Sequence, residues 1–302
     1  MADTVMVQVE DRQLKLSNLG KVLYPETGTT KGEVIDYYTR ISDVLLPHLA
    51  DRPATMIRFP NGVEGHSFFE KNVPRGAPSW VRTARLPAPG STKNRDEIDY
   101  VIVTELATLV WMANLAALEL HVPQWRVGPR GGAHGADELV FDLDPGAPAG
   151  LPECAEVALA LRDVLAEDGL TAVVKTSGSK GMQLTAPIEE SPPGKTSEYA
   201  KSLAVRLEQQ LGGLVVSSMA KAARPGKVLI DWSQNNPAKT TVAPYSLRGR
   251  AGFTASAPLS WAEVDAGGLR QFTGTEVLDR VAVDGDLYAG ALADPHRAAL
   301  SS

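Results

Sequence analysis

The clearest periodic pattern of the chain lies between Thr30 and Pro47. Apolar residues from Val34 to Leu45 recur at spacings of three and four, and Thr30 and Glu33 have the spacing of a capping box. This pattern predicts an amphipathic helix that ends near the proline, which lacks a backbone N–H. Apolar runs with helix-ending residues predict three further helices, at 105–120, 155–167 and 197–211.

Six shorter runs rich in β-branched and apolar residues are predicted to be strands. They span 54–59, 99–103, 138–143, 171–176, 183–186 and 228–232. Because helices and strands mix without the strict alternation of a doubly wound sheet, we predict an α+β architecture. The Gly- and Pro-rich stretches at 87–90, 128–135 and 191–194 are predicted to be surface loops rather than linkers. With no internal repeat, residues 1–302 are expected to form a single domain.

A pair of carboxylates lies in and just after the predicted strand at 138–143. In an extended segment side chains alternate between faces, so Asp142 and Asp144 face one way while Phe141 and Leu143 face the other. Two carboxylates roughly 7 Å apart along a strand repel each other at low dielectric, and a shared divalent cation removes that repulsion. The spacing therefore indicates a metal site. The alternative is a polar turn in which the aspartates only close the strand.

A glycine- and serine-rich turn follows the predicted strand at 171–176. It includes Ser177, Ser179, Lys180 and Gly181. Hydroxyl groups, a lysine and flexible backbone amides in one tight loop form a cradle for phosphate oxygens. The order of its residues is not that of a Walker A loop. A simple hairpin turn is the alternative interpretation.

Asp231 ends an apolar strand, where an unpaired charge is costly. Together with Asp142 and Asp144 it would make three acidic ligands for two cations, an arrangement suited to phosphoryl transfer. The polar and basic segment that follows could reach a triphosphate or a nucleic-acid backbone, with an irregular solvated loop as the alternative. Its candidate residues are Gln234, Asn235, Lys239, Arg248 and Arg250.

Two further features have both a functional and a structural interpretation. His121 follows an apolar run and precedes a proline, so it is either a core residue or an imidazole near phosphates. Phe68 and Phe69 lie close to Lys71, which suits stacking on bases, and core packing is the alternative.

Composition limits the class of protein. The 302 residues, 43% of them hydrophobic, are enough to bury a core, and no run approaches the roughly 20 apolar residues of a membrane span. With no signal-peptide pattern at its start, the chain is predicted to be cytoplasmic, with no membrane partner. Its single cysteine, Cys154, excludes an internal disulfide.

Charge is unevenly distributed along the chain. The formal net charge is −6, yet residues 201–250 hold eight Lys or Arg against two acids, whereas the residues after 250 hold seven acids and three arginines. The basic segment is a candidate for contact with a polyanion, and ordinary scatter of charges is the alternative.

The order of these motifs resembles the polymerase domain of bacterial DNA ligase D, a member of the archaeo-eukaryotic primase-polymerase superfamily. The segments that carry the resemblance are 18–25, 28–31, 52–54, 68–71, 121–125, 141–146, 176–181, 231–234 and 239–250. The resemblance covers almost the whole chain. It implies a primase-polymerase fold, with mixed and antiparallel sheets flanked by helices around an RRM-like catalytic palm.

The resemblance also implies an activity. Members add ribo- or deoxyribonucleotides to a primer 3′-hydroxyl at DNA gaps and double-strand-break ends, directed by a template, in non-homologous end joining. Asp142, Asp144 and Asp231 would be the catalytic ligands of two metal ions, Mn²⁺ by preference or Mg²⁺. The nucleotide-binding residues implied are His121, Ser177, Ser179, Lys180, Gly181, Gln234, Lys239, Arg248, Phe68, Phe69 and Arg58.

The same resemblance implies contacts with DNA. Asn18, Lys21 and Lys31 would bind a 5′-phosphate at a gap or break, and Lys71 and Arg224 would contact the DNA end or the template. The implied partners are 5′-phosphorylated DNA, ribo- or deoxynucleoside triphosphates, the end-binding protein Ku and a DNA ligase. The implied location is the nucleoid within the cytoplasm.

Two positions depart from the family pattern. Gln183 stands where primase-type members carry a histidine, and Met56 and Ile57 precede Arg58 where members can carry a nucleotide-binding lysine, so that Arg58 would have to supply the contact. Two other functions stay open: a metal-dependent phosphoesterase, and a non-catalytic module that binds 5′-phosphorylated DNA ends. The chain has no Lys-x-Asp-Gly ligase motif, so strand sealing would need another domain or protein.

Overall fold

The computed structural model describes residues 3–87, 96–293 and 297–300. The described chain has seven α-helices: α1 (Lys31–Arg40), α2 (Ser42–Leu49), α3 (Leu106–Asn114), α4 (Leu151–Glu167), α5 (Lys195–Gln210), α6 (Trp261–Ala266) and α7 (Gly274–Asp284). Short 3-10 helices span Lys221–Ala223, Trp232–Asn235 and Ala289–Ala291. Within these residues, no helix combines the length and the apolar character needed to cross a membrane.

The strands form two large sheets and three small ones. They are β1 (Thr4–Val9), β2 (Arg12–Ser17), β3 (Val22–Tyr24), β4 (Thr29–Thr30), β5 (Pro53–Arg58), β6 (Phe68–Glu70), β7 (Thr83–Pro87), β8 (Glu97–Ile102), β9 (Ala117–Val122), β10 (Trp125–Val127), β11 (Ala133–Pro145), β12 (Val173–Thr176), β13 (Met182–Ser191), β14 (Val215–Val216), β15 (Val228–Asp231), β16 (Thr241–Val242), β17 (Thr254–Ala255), β18 (Pro258–Leu259) and β19 (Phe272–Thr273). The small sheets are the pairs β1–β2, β3–β4 and β17–β19.

The larger sheet has seven strands in the order β14-β15-β11-β13-β12-β18, with β10 paired to β11. Its β14–β15 pair is parallel and its other pairs are antiparallel. Leu139, Phe141 and Leu143 of β11 are fully buried in a core shared with residues of α4 and α5. The alternation along β11 then leaves Asp142 and Asp144 on the opposite face. The predicted two-faced strand and the α+β architecture are both confirmed.

The second sheet has the order β16-β9-β5-β8-β7, with β6 on β5. Its core includes Tyr37 and Tyr38 of α1, whose hydroxyls donate to the carbonyls of Tyr245 and Leu118, each over 2.6 Å. The two large sheets are joined by Lys175 of β12, which is 1% exposed and donates to the carbonyl of Val242 in β16 over 3.1 Å. This hydrogen bond links the two sheets.

Two predicted helices differ from the structure. The capping box of Thr30 and Glu33 is present, but α1 ends at Arg40 and α2 continues through Pro47 to Leu49. Pro47 lies two residues before the end of α2, so the backbone hydrogen bond that it cannot donate belongs to the last turn of this short helix. The predicted helix at 105–120 is wrong beyond Asn114, because Ala116 takes a left-handed conformation (φ 57°) and the following apolar residues pair with β5.

The other predictions agree more closely. The helices at 155–167 and 197–211 correspond to α4 and α5, and all six predicted strands exist, with ends shifted or extended. The hairpin of β1 and β2 was absent from the predicted elements. The predicted loop at 87–90 lies outside the described residues from 88 onward, and the other two loops are shortened by the ends of β11 and β13. The single-domain organisation stays a prediction.

Candidate active site

Three carboxylates converge on the face of the seven-stranded sheet opposite to the one that packs on α4 and α5. Asp142 of β11 lies directly opposite Asp231 of the neighbouring strand β15, and Asp144 lies two residues further along the same face. Each of the three residues offers a carboxylate oxygen, and these oxygens all lie within 4.8 Å of one another. The convergence depends on the pairing register of two strands that are far apart in the sequence.

The negative charges of these carboxylates repel one another, which makes each of them harder to ionise. Burial and the charge of Asp144 raise the pKa of Asp142 to about 7. Burial and the charge of Asp231 likewise raise the pKa of Asp144. A divalent cation would remove this repulsion, and three carboxylates are the hard oxygen donors that Mg²⁺ and Mn²⁺ prefer. The residues present therefore fit a metal centre.

The predicted nucleotide contacts Gln234 and Lys239 surround Asp231. Gln234 Nε2 donates to Asp231 Oδ2 over 2.7 Å, and the backbone N–H of Ser233 donates to Oδ1 over 3.1 Å. Lys239 Nζ lies 2.5 Å from the hydroxyl of Ser233, which itself bonds Oδ1. These bonds fix the direction in which the Asp231 carboxylate points, as ligand-orienting groups do in metal sites.

Asn235 does not fit the expectation that it could reach a triphosphate. Its side chain is 3% exposed, accepts from the backbone N–H of Val140 over 2.8 Å and donates to the carbonyl of Val140 over 2.6 Å. A side chain bonded at both ends to a strand is not available to a ligand. Asn235 instead fastens the segment after β15 to β11.

An open cleft of about 350 Å³ lies over Asp142 and Asp144, and Asp231, opposite Asp142 on the neighbouring strand, does not itself line it. The predicted site residues that line it are Asp142, Asp144, His121, Ser177, Ser179, Lys180, Gly181, Gln234 and Arg248. Arg250, a candidate contact of the basic segment, also lines the cleft, and Gln183, Thr240, Thr241 and Val242 complete the lining. Gln183 lies opposite Asp142 in β11 and opposite Lys175 in β12, so an amide occupies the centre of the floor. The resemblance-based set thus falls largely on one surface.

The loop from Ser177 to Gly181 is held in shape by its own first residue. The Ser177 hydroxyl oxygen accepts from the backbone N–H groups of Ser179 and Gly181, each over 3.2 Å. Gly178 has a left-handed backbone (φ 68°), which permits the tight turn. Two amides expected to face phosphate are therefore used within the loop, whereas the Ser177 and Ser179 hydroxyls and the Lys180 ammonium are side-chain donors that the loop offers to the cleft.

Glu119 is a buried member of the site that the sequence interpretation missed. Its carboxylate lies 2.9 Å from His121 Nε2 and 3.2 Å from Arg248 Nε, and it accepts from the backbone N–H of Gly249 over 2.9 Å. Burial acts to raise the pKa of Glu119, but His121 and Arg248 together lower it to about 2. Strand alternation would have placed Glu119 beside His121 had this segment been predicted as a strand.

The two predicted aromatic contacts differ in exposure. Phe69 is 62% exposed, and its ring lies 6.5 Å from that of His121. The guanidinium of Arg58 lies over the ring of Phe68, with its Cζ 5.2 Å from the ring centroid. Arg58 also pairs with Glu70 over 2.6 Å, and it is not among the cleft-lining residues of the described chain. This geometry does not favour Arg58 as a replacement for the family's nucleotide-binding lysine.

The predicted 5′-phosphate residues form a separate positive cluster near the N-terminus. Lys21 Nζ bonds Asn61 over 3.1 Å, and Lys31 Nζ donates to the carbonyl of Ser17 over 2.6 Å. Asn18 joins them through its carbonyl, which accepts from the backbone N–H of Lys21 over 3.0 Å. Burial, together with the charges of Lys21 and Arg58, lowers the pKa of Lys31 to about 8. Cations held close together in this way favour an anionic ligand.

The two residues predicted to contact the DNA end or template lie at the edges of the site. Lys71 is bonded to the carbonyl of Ala238 over 3.5 Å. Arg224 donates to the carbonyl of Met219 over 2.8 Å, and its backbone packs against Gly146, just past Asp144. The charge of Arg224 acts to lower the pKa of Asp144, so the guanidinium lies near enough to favour the ionised carboxylate.

Comparison with known proteins identifies the family. The model of the LigD primase-polymerase domain matches residues 30–288. The chain is 46% identical over 295 residues to the multifunctional non-homologous end joining DNA repair protein LigD of Mycobacterium tuberculosis, covering 96% of this chain and 38% of that protein. It is 32% identical over 295 residues to the bifunctional non-homologous end joining protein LigD of Bacillus subtilis, covering 95% and 46%.

A solved structure supports the same family assignment. The polymerase domain from Mycobacterium tuberculosis ligase D, in complex with DNA, superposes with a TM-score of 0.89 at 47% identity, covering 94% of this chain and 99% of that one. The present chain spans less than half the length of the full-length relatives above. The resemblance of its sequence motifs is confirmed, and the chain belongs to the LigD primase-polymerase domain family, a class of nucleotidyltransferases.

Proposed function

We propose that this domain adds ribo- or deoxyribonucleotides to a primer 3′-hydroxyl at DNA gaps and double-strand-break ends, with a template directing the choice. The observation that carries the proposal is the convergence of three carboxylates, two of which, Asp142 and Asp144, line a cleft that also holds Lys180 and Arg248. Nucleotidyl transfer requires carboxylates that hold metal ions and positively charged side chains that hold phosphates.

Different side chains of the site suit different requirements of this reaction. Asp142, Asp144 and Asp231 would hold two divalent ions, with Mn²⁺ preferred over Mg²⁺. When bound, such ions activate the attacking hydroxyl and neutralise charge on the triphosphate. Lys180 and Arg248 place two positive charges where the triphosphate would lie. The exposed ring of Phe69 offers a surface on which a base can stack.

We further propose that the substrate is a DNA gap or break that carries a 5′-phosphate. The relative of known structure was solved in complex with DNA, and the relatives are named for non-homologous end joining. The positive cluster of Asn18, Lys21 and Lys31 would bind the 5′-phosphate. Ku and a DNA ligase would be partners in the same repair, and the reaction would take place at the nucleoid.

Replacement of Lys21 by methionine tests the 5′-phosphate cluster. The wild-type protein is expected to bind a 5′-phosphorylated gap more tightly than the same gap with a 5′-hydroxyl. Lys21→Met should reduce this preference about tenfold, because one charge-assisted hydrogen bond is lost. Fluorescence anisotropy with both duplexes measures it. Lys15→Met, at an exposed position of the adjacent hairpin, is the matched control, and an equal loss in both variants would contradict the assignment.

One assay separates the proposal from its two alternatives. A gapped, 5′-phosphorylated duplex with a labelled primer is incubated with Mn²⁺ and with each set of nucleotides. Primer extension supports nucleotide addition. Strand shortening without extension would indicate a metal-dependent phosphoesterase, and binding without any change in strand length would indicate a non-catalytic module for DNA ends.

A further inference from the structure

Glu119 connects two sides of the nucleotide cleft from beneath. It lies on β9, is 5% exposed, and does not itself line the cleft. Of its three contacts, two are with the cleft-lining side chains of His121 and Arg248, and the third is with the backbone N–H of Gly249. A buried carboxylate needs such partners, but these partners are also the groups that would meet a nucleotide.

We propose that Glu119 is a positioning residue that sets the tautomer of His121 and the orientation of Arg248 for the incoming nucleotide. This inference rests on the proposed function, since it concerns the same cleft. Glu119 itself would not touch the substrate. Its effect is transmitted through the two side chains that it holds.

The first consequence concerns the imidazole. A carboxylate can only accept hydrogen bonds, so the nitrogen that lies 2.9 Å from Glu119, Nε2 of His121, carries a hydrogen. A neutral imidazole has one N–H, and its other nitrogen, Nδ1, is then an acceptor. Burial lowers the pKa of His121 even though Glu119 opposes this, which favours the neutral ring. Glu119 therefore decides which nitrogen can accept a hydrogen bond.

The second consequence concerns the guanidinium. Arg248 has Glu119 3.2 Å from Nε on one side, and it donates from Nη1 to the carbonyl of Ser177 over 2.5 Å on the other. These contacts leave the remaining N–H groups of the guanidinium for the cleft. The backbone of Gly249 is bonded to Glu119 and packs so closely on the ring of Phe59 that a Cβ at this position would lie 2.0 Å from the ring. The arginine is thus held from both its side chain and its backbone.

Glutamine is the informative replacement for Glu119. It has nearly the same shape, but its amide offers one oxygen where the carboxylate offers two. It cannot accept from both Gly249 and His121 while also balancing the charge of Arg248. Glu119→Gln should therefore release the imidazole tautomer and loosen the arginine without opening a cavity.

Two measurements on Glu119→Gln test the inference. In ¹⁵N-detected NMR of the ligand-free protein, His121, assigned by comparison with His121→Gln, should show a protonated Nε2 and an unprotonated Nδ1 in the wild type and a mixture of tautomers in the variant. In primer extension, the variant should raise KM for the nucleotide about tenfold, with affinity for gapped DNA within about twofold of wild type. The NMR result does not depend on activity, so it stands or fails separately from the proposed function.

The matched control is Glu138→Gln. Glu138 is also a glutamate paired with an arginine, 2.7 Å from Arg52, with a side chain 15% exposed, but it does not line the cleft. The Glu138→Gln substitution should leave the KM for the nucleotide and the His121 tautomer unchanged. If Glu119→Gln fails to fold, Glu119→Asp, which keeps the charge but shortens the reach, should show the same changes in smaller degree. An unchanged tautomer and KM in folded Glu119 variants, or an equal rise of KM in Glu138→Gln, would overturn the inference.

Discussion

Asp142→Asn is expected to reduce primer extension by a factor on the order of 10³ or more, because cation binding supplies several kcal/mol of the stabilisation that phosphoryl transfer needs. Asparagine keeps the shape of the side chain but removes the charge directly opposite Asp231. The affinity for gapped DNA should change by less than about threefold, since most of that affinity comes from phosphate contacts elsewhere. Single-turnover extension and fluorescence anisotropy measure the two quantities.

The control for this substitution is Asp163→Asn. Asp163 is an aspartate of α4 whose side chain is 66% exposed and whose only ion-pair partner among the described residues is the neighbouring Arg162. Its loss should leave extension unaffected. Extension by Asp142→Asn at a rate near that of wild type would refute the assignment of Asp142 as a metal ligand. A matching loss of DNA affinity would instead point to damage beyond the metal site.

Gly181→Ala is expected to lower the free energy of unfolding by about 3 kcal/mol, the upper part of the range for overpacked positions. A Cβ at Gly181 would lie 1.9 Å from the carbonyl oxygen of Leu143 and 3.0 Å from Pro145. Both neighbours belong to β11, on either side of Asp144. The clash can be relieved only by moving the strand that carries the carboxylates, so extension should be lost as well.

The matched control for Gly181→Ala is Gly213→Ala. Gly213 does not have a left-handed backbone, and no atom of the described chain beyond its neighbours lies within 4 Å of a Cβ placed there. Urea unfolding of both variants provides the comparison. Equal stability of the two would mean that the close approach of Gly181 to β11 is not a real constraint.

Local patterns predicted the parts of the fold that local chemistry decides. The capping box at Thr30, the helices α4 and α5, and the alternation around Asp142 all depend on residues a few positions apart. The convergence of Asp231 with Asp142 could only be conjectured, because it depends on the register between β11 and β15. A pairing between strands so distant in the sequence leaves no trace in local spacing.

Other parts of the site were missed for related reasons. The apolar run that holds Glu119 and His121 continues from α3, and apolar runs do not by themselves distinguish a helix from a buried strand. With the run predicted as helix, the two side chains were not expected to share a face. The internal bonds of Ser177 and Asn235 were also missed, since a polar residue in a loop reads equally well as a ligand contact or as a structural bond.

The most direct test of the account is single-nucleotide addition to four gapped, 5′-phosphorylated duplexes that differ only in the templating base. Each duplex is supplied with Mn²⁺ and one nucleotide at a time. If the cleft over Asp142 and Asp144, with Asp231 beside them, performs templated nucleotidyl transfer, the complementary nucleotide should be added at least about tenfold faster than the others on every duplex. The same nucleotide preferred on all four duplexes, or no addition on any, would contradict it.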